Sequence, residues 1–359
     1  MKNSIGESII FTLFGESHGD YIGAVLDGLT PGLPVDEEFI KSQLSKRRPS
    51  SLMDTARKEE DNFQIVSGVF NGYTTGTPLC ILIENKNVRS EDYQPTKLRP
   101  SHADYVAYAK YHGYQDYRGG GHFSGRLTTP IVALGAICLK ALENKGIKIG
   151  THILECGGVK DNEFKNFDEE IDKINEKDIP LISNKEKELE EKILKAKSEG
   201  DSLGGVIQTA IVGVPEGVGE PWFSSLEGVI ANAMFSIGGV KGIEFGKGFG
   251  FKDGKGSELN DALEMRNGNI HTKTNNNGGI NGGISNGEPI VFNLAIKPTP
   301  SIAKEQDSVD LSTKENIKLE IKGRHDPAII RRICIVVSSL AAIIICDEIV
   351  KRFGTDYLK

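Results

Sequence analysis

Residues 333 to 346 read ICIVVSSLAAIIIC, fourteen positions without a charged side chain. A helix needs ~20 apolar residues to cross a bilayer, so this run falls short and is predicted to be a helix buried in the core. A helix buried on all sides obliges the rest of the chain to cover it. At 359 residues, 38% of them hydrophobic and 26% charged, the chain has the composition of a soluble globular protein with a sizeable core. Residues 1 to 30 carry no basic segment followed by a long apolar stretch, so neither a secretory signal nor a membrane association is expected.

Short strand-like runs alternate with glycine-rich turns at 7 to 14, 63 to 70, 79 to 83, 147 to 154, 205 to 214 and 290 to 296. Helical stretches interrupt them. In TPIVALGAICLKALENKG, Thr129 is a candidate cap, Pro130 suits the first turn and Gly146 suits the stop. KEKELEEKILKAKSE, 185 to 199, reads as a charged surface helix, and the last helix is expected to open at HDPAIIRR with Asp326 as cap and Pro327 in its first position. No Pro/Ser-rich linker divides the chain, so residues 1 to 359 are taken as one domain of mixed α and β structure. The Asn/Gly-rich stretch 267 to 287 flows straight into a strand and is expected to be a structured loop facing a ligand.

Five scattered cysteines with no C-x-x-C pair suggest neither a disulfide framework nor a zinc site, and a reducing cytoplasmic location is expected. A net charge of -7 argues against a nucleic-acid partner. The arginines are distributed unevenly. Arg47, Arg48, Arg99, Arg118, Arg126 and Arg324 sit in loops beside Gly, Pro, Ser and His. A planar guanidinium grips phosphate or carboxylate at two points, so their grouping in an acidic protein points to a small polyanionic ligand.

Four stretches concentrate chemistry: FGESHGDYIG (14 to 23), RPSHADY (99 to 105), YRGGGHFSGR (117 to 126), and KPTPSI with GRHDP (297 to 302 and 323 to 327). In GESHG the flanking glycines allow a sharp turn that exposes His18, which can protonate a departing oxyanion near neutral pH. His102 is followed by Asp104, placed to orient its imidazole; no second pair at ligand spacing supports a metal site. The triple glycine matches neither the Walker loop nor the dinucleotide fingerprint. It does lead into Ser124, Arg126 and a helix start, putting backbone donors, a hydroxyl and a guanidinium within one short reach. Lys297, Thr299 and Ser301 leave a strand in a manner suited to polar contacts with a phosphate or a heteroaromatic edge.

FGESHG, RRP, TTGTP, RPSHADY, DYRGGG, GDSLGG, VKGIEFGKGF, GGINGGISNG, IKPTPS and GRHDP, in this order and spacing, resemble the chorismate synthase family from about Ile5 to the last helix. The resemblance implies an α+β fold, a β-α-β sandwich of antiparallel four-stranded sheets packed with helices, and a homotetramer. It implies a lyase that uses reduced FMN to convert 5-enolpyruvylshikimate 3-phosphate into chorismate by trans-1,4 elimination of phosphate. NADPH or an external flavin reductase would supply the reduced flavin, and the cofactor would take up the non-acidic C6 hydrogen at N5.

Residue by residue, the resemblance makes His18 the acid for the leaving phosphate, His102 the partner of the anionic reduced flavin, Asp326 the assistant to proton movement at N5, and Ser17 and Ser124 relays. Flavin contacts fall on His122, Phe123, Ser124, Gly238, Gly239, Gly282, Lys297, Pro298, Thr299, Pro300, Ser301 and Arg324. Arg48, Arg99 and Arg126 bind substrate or NADP. Where many members carry an arginine after the triple glycine this chain has His122, implying a pH-dependent charge at the flavin edge. The glycines themselves are expected to make room for flavin and substrate beside the backbone.

Overall fold

Two sheets each turn one apolar face inward, and the helices that fill the space between those faces set the architecture. The computed structural model describes residues 2–49, 53–54, 61–86, 93–321 and 326–359. Among them the helices are α1 (Glu37–Arg47), α2 (Asp104–Tyr111), α3 (Thr128–Glu143), α4 (Phe167–Glu176), α5 (Glu186–Ser198), α6 (Leu226–Ser236), α7 (Gly256–Leu259) and α8 (Ile330–Phe353). The first sheet is ordered Ser4–Ile5, Ile10–Gly15, Tyr21–Asp27, Leu79–Glu84, Phe63–Ser67. The second is ordered Val240–Phe245, Ile290–Ile296, Gly205–Val212, Lys148–Cys156, Val159–Lys160. Every pairing within them is antiparallel. The expected four strands per sheet are joined in each case by a two-residue edge strand, Ser4–Ile5 in one and Val159–Lys160 in the other.

Strand alternation explains which faces are covered. Ile22, Ala24 and Leu26 pair with Ile83, Ile81 and Leu79, and all six are buried on the face that receives α3. In the second sheet Ile207 and Ile211 join the main core on the side of α8, while Ala210 and Val212 meet Phe164, Ile171 and Ile174 around α4 on the other side. α3 and α8 pack on each other, which completes the layers sheet, helices, sheet.

α8 is the predicted core helix, longer than the sequence run suggested. By length and composition it could cross a bilayer, yet its most apolar window is wholly buried inside the protein. Its two serines differ: Ser338 is hydrogen-bonded, whereas the Ser339 hydroxyl is buried without a partner. Ser338 meets the Thr151 hydroxyl at 2.8 Å, and Thr151 meets Thr209 at 2.9 Å, a hydroxyl chain from helix to sheet. Ser339 lies against Gly135 of α3, where an added Cβ would stand 2.5 Å from the Ser339 Cβ and 2.7 Å from its carbonyl oxygen. Near its end, Asp347 accepts from the backbone N–H groups of Glu7, Ser8 and Ile9 at 3.0, 2.7 and 2.7 Å. The N-terminal turn is thereby pinned to the core.

Two helix starts differ from expectation. α8 begins at Ile330 rather than at Pro327, so Asp326 lies ahead of the cap position Ile329, and one of its carboxylate oxygens pairs with Arg332. α3 begins at Thr128; Ser124 caps the 3-10 turn Gly125–Leu127 ahead of it, and the Thr129 hydroxyl bonds the Arg126 carbonyl at 2.7 Å. The stretch 267 to 287 is structured, with strands pairing as Leu263–Arg266 with Asn269–Thr272 and Ile280–Asn281 with Ile284–Ser285. It lines no part of the cavity described below.

Gly135→Ala is expected to lower stability by about 1–3 kcal/mol, because the new methyl must displace the Ser339 backbone in a close-packed helix pair. An unchanged urea midpoint would contradict that close approach.

Candidate active site

A cavity of ≈ 800 Å³ opens between the end of the first sheet and the start of α8. The strand Ile10–Gly15 ends in a turn at its rim. Within that turn Gly19 N–H bonds the Glu16 carbonyl at 3.0 Å, and Asn85 Nδ2 donates to the carbonyls of Glu16 and Gly19 at 3.1 and 2.8 Å. Ser17 N–H donates to the Gly121 carbonyl at 3.1 Å, so the turn hangs between the neighbouring strand and the triple glycine. Ser17 and His18 are both buried, and the Ser17 hydroxyl has no hydrogen-bond partner.

Gly119, Gly120 and Gly121 occupy the left-handed region at φ 60°, 84° and 52°. A Cβ on Gly119 would lie 2.1 Å from His18 Cε1 and 2.9 Å from Ser17 Oγ, and one on Gly120 would lie 3.3 Å from His102 Cε1. Gly119 thus makes room for the His18 ring, and Gly120 lies against His102 while also lining the cavity. His122 Nδ1–H donates to the Gly15 carbonyl at 2.8 Å, and the residue does not line the cavity. It ties the two turns together.

Ser124 lines the cavity, as do Phe123, Arg126 and Thr128, the first residue of α3. Arg126 is held by Asn85 Oδ1 at 3.0 Å, by the Glu84 carbonyl at 3.2 Å and by an ion pair with Asp61. Asp61 also meets Arg48 at 3.3 Å and Arg47 at 3.6 Å. Burial pushes the Asp61 carboxyl up, but the guanidiniums of Arg47, Arg126 and Arg48 outweigh it and hold the group below its ordinary value. Arg48 is therefore directed to Asp61 and is not part of the cavity wall. No motif marked Asp61 in the sequence, where it is one acid among several before a strand.

Beside the glycine turn Arg99 and His102 share the Asp104 carboxylate, at 2.7 Å from Arg99 Nη2 and 2.7 Å from His102 Nδ1. Tyr93 lies beneath the Arg99 guanidinium at 5.5 Å and edge-on to His18 at 5.4 Å. Asp326 is buried and paired with Arg332; burial raises its carboxyl above the ordinary value against the pull of that guanidinium. Gly238, Thr299 and Ser301 line the cavity, and the Thr299 hydroxyl is buried with no hydrogen-bond partner.

Other sequence candidates lie outside the wall. Lys297 donates to the Ser101 carbonyl at 2.6 Å, while its N–H donates to the Gly239 carbonyl at 2.9 Å. Pro298 and Pro300 flank Thr299 without lining the cavity. Gly282 sits in the hairpin turn next to Gly283, whose carbonyl receives the Leu226 N–H at the start of α6, whereas Gly238 follows the end of that helix. Eleven helical residues separate the two by about 16 Å, so within one chain Gly282 does not join Gly238. Arg324 lies outside the described residues.

The wall's charge follows from its residues. Arg47, Lys97, Arg99, Arg126, Lys318 and Arg332 line it together with Asp104, Asp116, Glu320 and Asp326. The excess is cationic in a chain of net charge -7. Ile237, Ile329, Ile333 and Val336 supply an apolar side. The site suits a polyanion lying beside a flat apolar group, with acid–base histidines at hand.

The family model for chorismate synthase matches residues 9–350. The chain is similar to the chorismate synthase of Korarchaeum cryptofilum, 45% identical over 96% of this chain and 97% of that one. It is likewise similar to that of Pyrococcus abyssi, 44% identical over 97% of each chain. Among solved structures, a crystal structure of chorismate synthase superposes with a TM-score of 0.78 at 30% identity, covering 98% of this chain and 94% of that one.

Gly119→Ala is expected to expel the His18 ring from its seat and to lower stability by about 1–3 kcal/mol, whereas Gly125→Ala, whose Cβ meets nothing within 4 Å, is expected to leave the urea midpoint unchanged. Equal midpoints for the two variants would refute the steric role of Gly119.

Proposed function

This chain belongs to the chorismate synthase family, lyases of aromatic biosynthesis, and we propose that its cavity converts 5-enolpyruvylshikimate 3-phosphate into chorismate by a trans-1,4 elimination of phosphate that requires reduced FMN. The observation that carries the reading is the convergence of His18, His102 and Asp326 with Arg99 and Arg126 on a single cationic cavity. A phosphate and two carboxylates on the substrate match that excess of cations, and guanidiniums already fixed by Asp61 and Asp104 lose little freedom on gripping them.

The residues present fit a flavin. The cavity lies toward the upper end of the ~300–1,000 Å³ typical of ligand sites, leaving space for a second small molecule. The Ile237, Ile329, Ile333 and Val336 side can receive a planar ring, and the unpartnered Thr299 hydroxyl can bond a polar edge. Gly238, Phe123 and Ser301 border the same space. Reduced flavin, when bound, supplies electron density for carbon–oxygen cleavage and an acceptor for the C6 hydrogen, which no side chain here is basic enough to remove as a proton.

The chain's own groups manage protons and charge. His18, seated on Gly119, gives a proton to the departing phosphate, and the Ser17 hydroxyl beside it can relay the next one. His102 would offer a ring nitrogen to a bound reduced flavin and balance its negative charge. Asp326, whose carboxyl is raised by burial, can take up or hold a proton where a surface aspartate would not. Arg126 and Arg99 neutralise the substrate's anionic groups and disfavour water-solvated alternatives.

In an anaerobic assay with photoreduced FMN and 5-enolpyruvylshikimate 3-phosphate, the protein is expected to release phosphate and form chorismate. Absence of turnover with active reduced flavin present would sink the proposal. His18→Ala and His102→Ala are each expected to lower the rate at least ~10-fold, the modest end of acid–base contributions; rates near wild type would reject these roles.

A further inference from the structure

Between Arg99 and Asp104 the chain turns back on itself. Ser101 is left-handed at φ 58°, and its carbonyl is held from outside by the Lys297 ammonium. This turn brings the Asp104 carboxylate beneath two side chains at once. Oδ1 accepts from His102 Nδ1 and from Arg99 Nη2, both at 2.7 Å. Oδ2 accepts from Arg99 Nε at 2.8 Å and from the Arg99 backbone N–H at 3.0 Å. Both oxygens are fully engaged, and every donor belongs to the same short loop.

We propose that Asp104 is a positioning residue of the active site: its carboxylate fixes His102 as the Nδ1–H tautomer and holds the Arg99 fork rigid, so that one side chain sets both the ring nitrogen and the cation offered to substrate. The consequence for turnover rests on the chorismate synthase reading above; the tautomer does not. Burial alone would raise the Asp104 carboxyl, yet its bonds to Arg99 and His102 hold it far below the ordinary range. An ionised carboxylate only accepts hydrogen bonds, so the proton in the 2.7 Å contact belongs to His102 Nδ1. In that tautomer Nε2 is the acceptor nitrogen of the ring. It lies at the Gly120 edge, where an added Cβ would stand 3.4 Å away. Arg99 is fixed on its other side by the Tyr93 ring, which also bears edge-on against His18. His102, Asp104, Arg99, Tyr93 and His18 form a continuous band along the cavity wall.

Nitrogen NMR of the full chain labelled at histidine, with the His102 ring assigned from His102→Gln, reads the tautomer directly and without flavin or substrate. The Nδ1–H form is expected in the wild type and is expected to be lost in Asp104→Ala. In the anaerobic assay Asp104→Ala is expected to raise KM and lower kcat, each about 10-fold or more, with Asp104→Glu recovering part of both. Arg99→Lys keeps the charge but not the fork; it is expected to raise KM while leaving the His102 tautomer unchanged. An Nε2–H ring in the wild type overturns the proposal even if Asp104→Ala fails to fold, and so does an Asp104→Ala protein that keeps the Nδ1–H form and wild-type kinetics. A wild-type Nδ1–H ring in a protein that never turns over the substrate supports the positioning geometry and refutes the functional reading instead.

Discussion

The chemistry of this molecule depends on how closely the turn after the strand Ile10–Gly15 approaches the triple glycine. Contact between them is made by the backbone, Ser17 N–H to the Gly121 carbonyl, and is reinforced by His122 Nδ1–H to the Gly15 carbonyl. At such separation the His18 ring occupies the place where a residue-119 side chain would be. His18 is thus seated by two rigid strand and helix ends instead of swinging on a loop. The same glycine turn runs on through Ser124 and Arg126 into α3, whose other face fills the core beneath the first sheet. The seat of His18, the cavity-lining Arg126 and a core helix therefore share one stretch of backbone, and loosening any of them loosens the others.

Charge is the second constraint. Arg47, Arg126 and Arg331 are almost completely buried, and a guanidinium in that situation needs a carboxylate partner. Asp61 serves the first two and Asp54 the third. Because Asp61 is shared among Arg47, Arg48 and Arg126, the pairing fixes the forks without cancelling their charge. The cavity consequently retains a cationic excess while its arginines stay oriented, and such an arrangement attracts a multiply charged anion and tolerates few alternatives.

How far the site was legible from sequence followed from the range of the interactions involved. Residues 333 to 346 announced a buried helix by composition, and the runs 290 to 296 and 205 to 214 announced strands between glycine-rich turns, because both signals are local. Gly119 to Gly121 stood out as a string, but what the missing side chains made room for depended on loops about 100 residues away in the case of His18 and about 20 in the case of His102. His122 looked like a ligand for the same reason, since only the fold brings the Gly15 carbonyl to its Nδ1. Asp61 carried no signal at all; its importance comes from three arginines contributed by α1, the residue after it and the glycine turn. The start of α8 was misread because Asp-Pro is a good local cap, and the pull of Arg332 on Asp326 is visible only once the helix is placed.

α8 joins these constraints. Its first turn holds the end of α1 through Arg331 to the Arg48 carbonyl at 2.9 Å and Arg332 to the Arg47 carbonyl at 2.7 Å, and it pairs with Asp54 and Asp326. Its next turn presents Ile333 and Val336 to the cavity, and a dozen residues on it is fully packed between the sheets. Near the far end Asp347 grips the backbone from Glu7 to Ile9, and that segment leads directly into the strand that ends at Gly15. One helix therefore fixes the arginine and Asp326 side of the cavity from its beginning and the His18 side from its end. The side chains that line the cavity from these two directions are thus positioned by the fold itself. Much of the entropy of assembling the site is thus lost on folding instead of on binding, which leaves more of the binding free energy for the reaction.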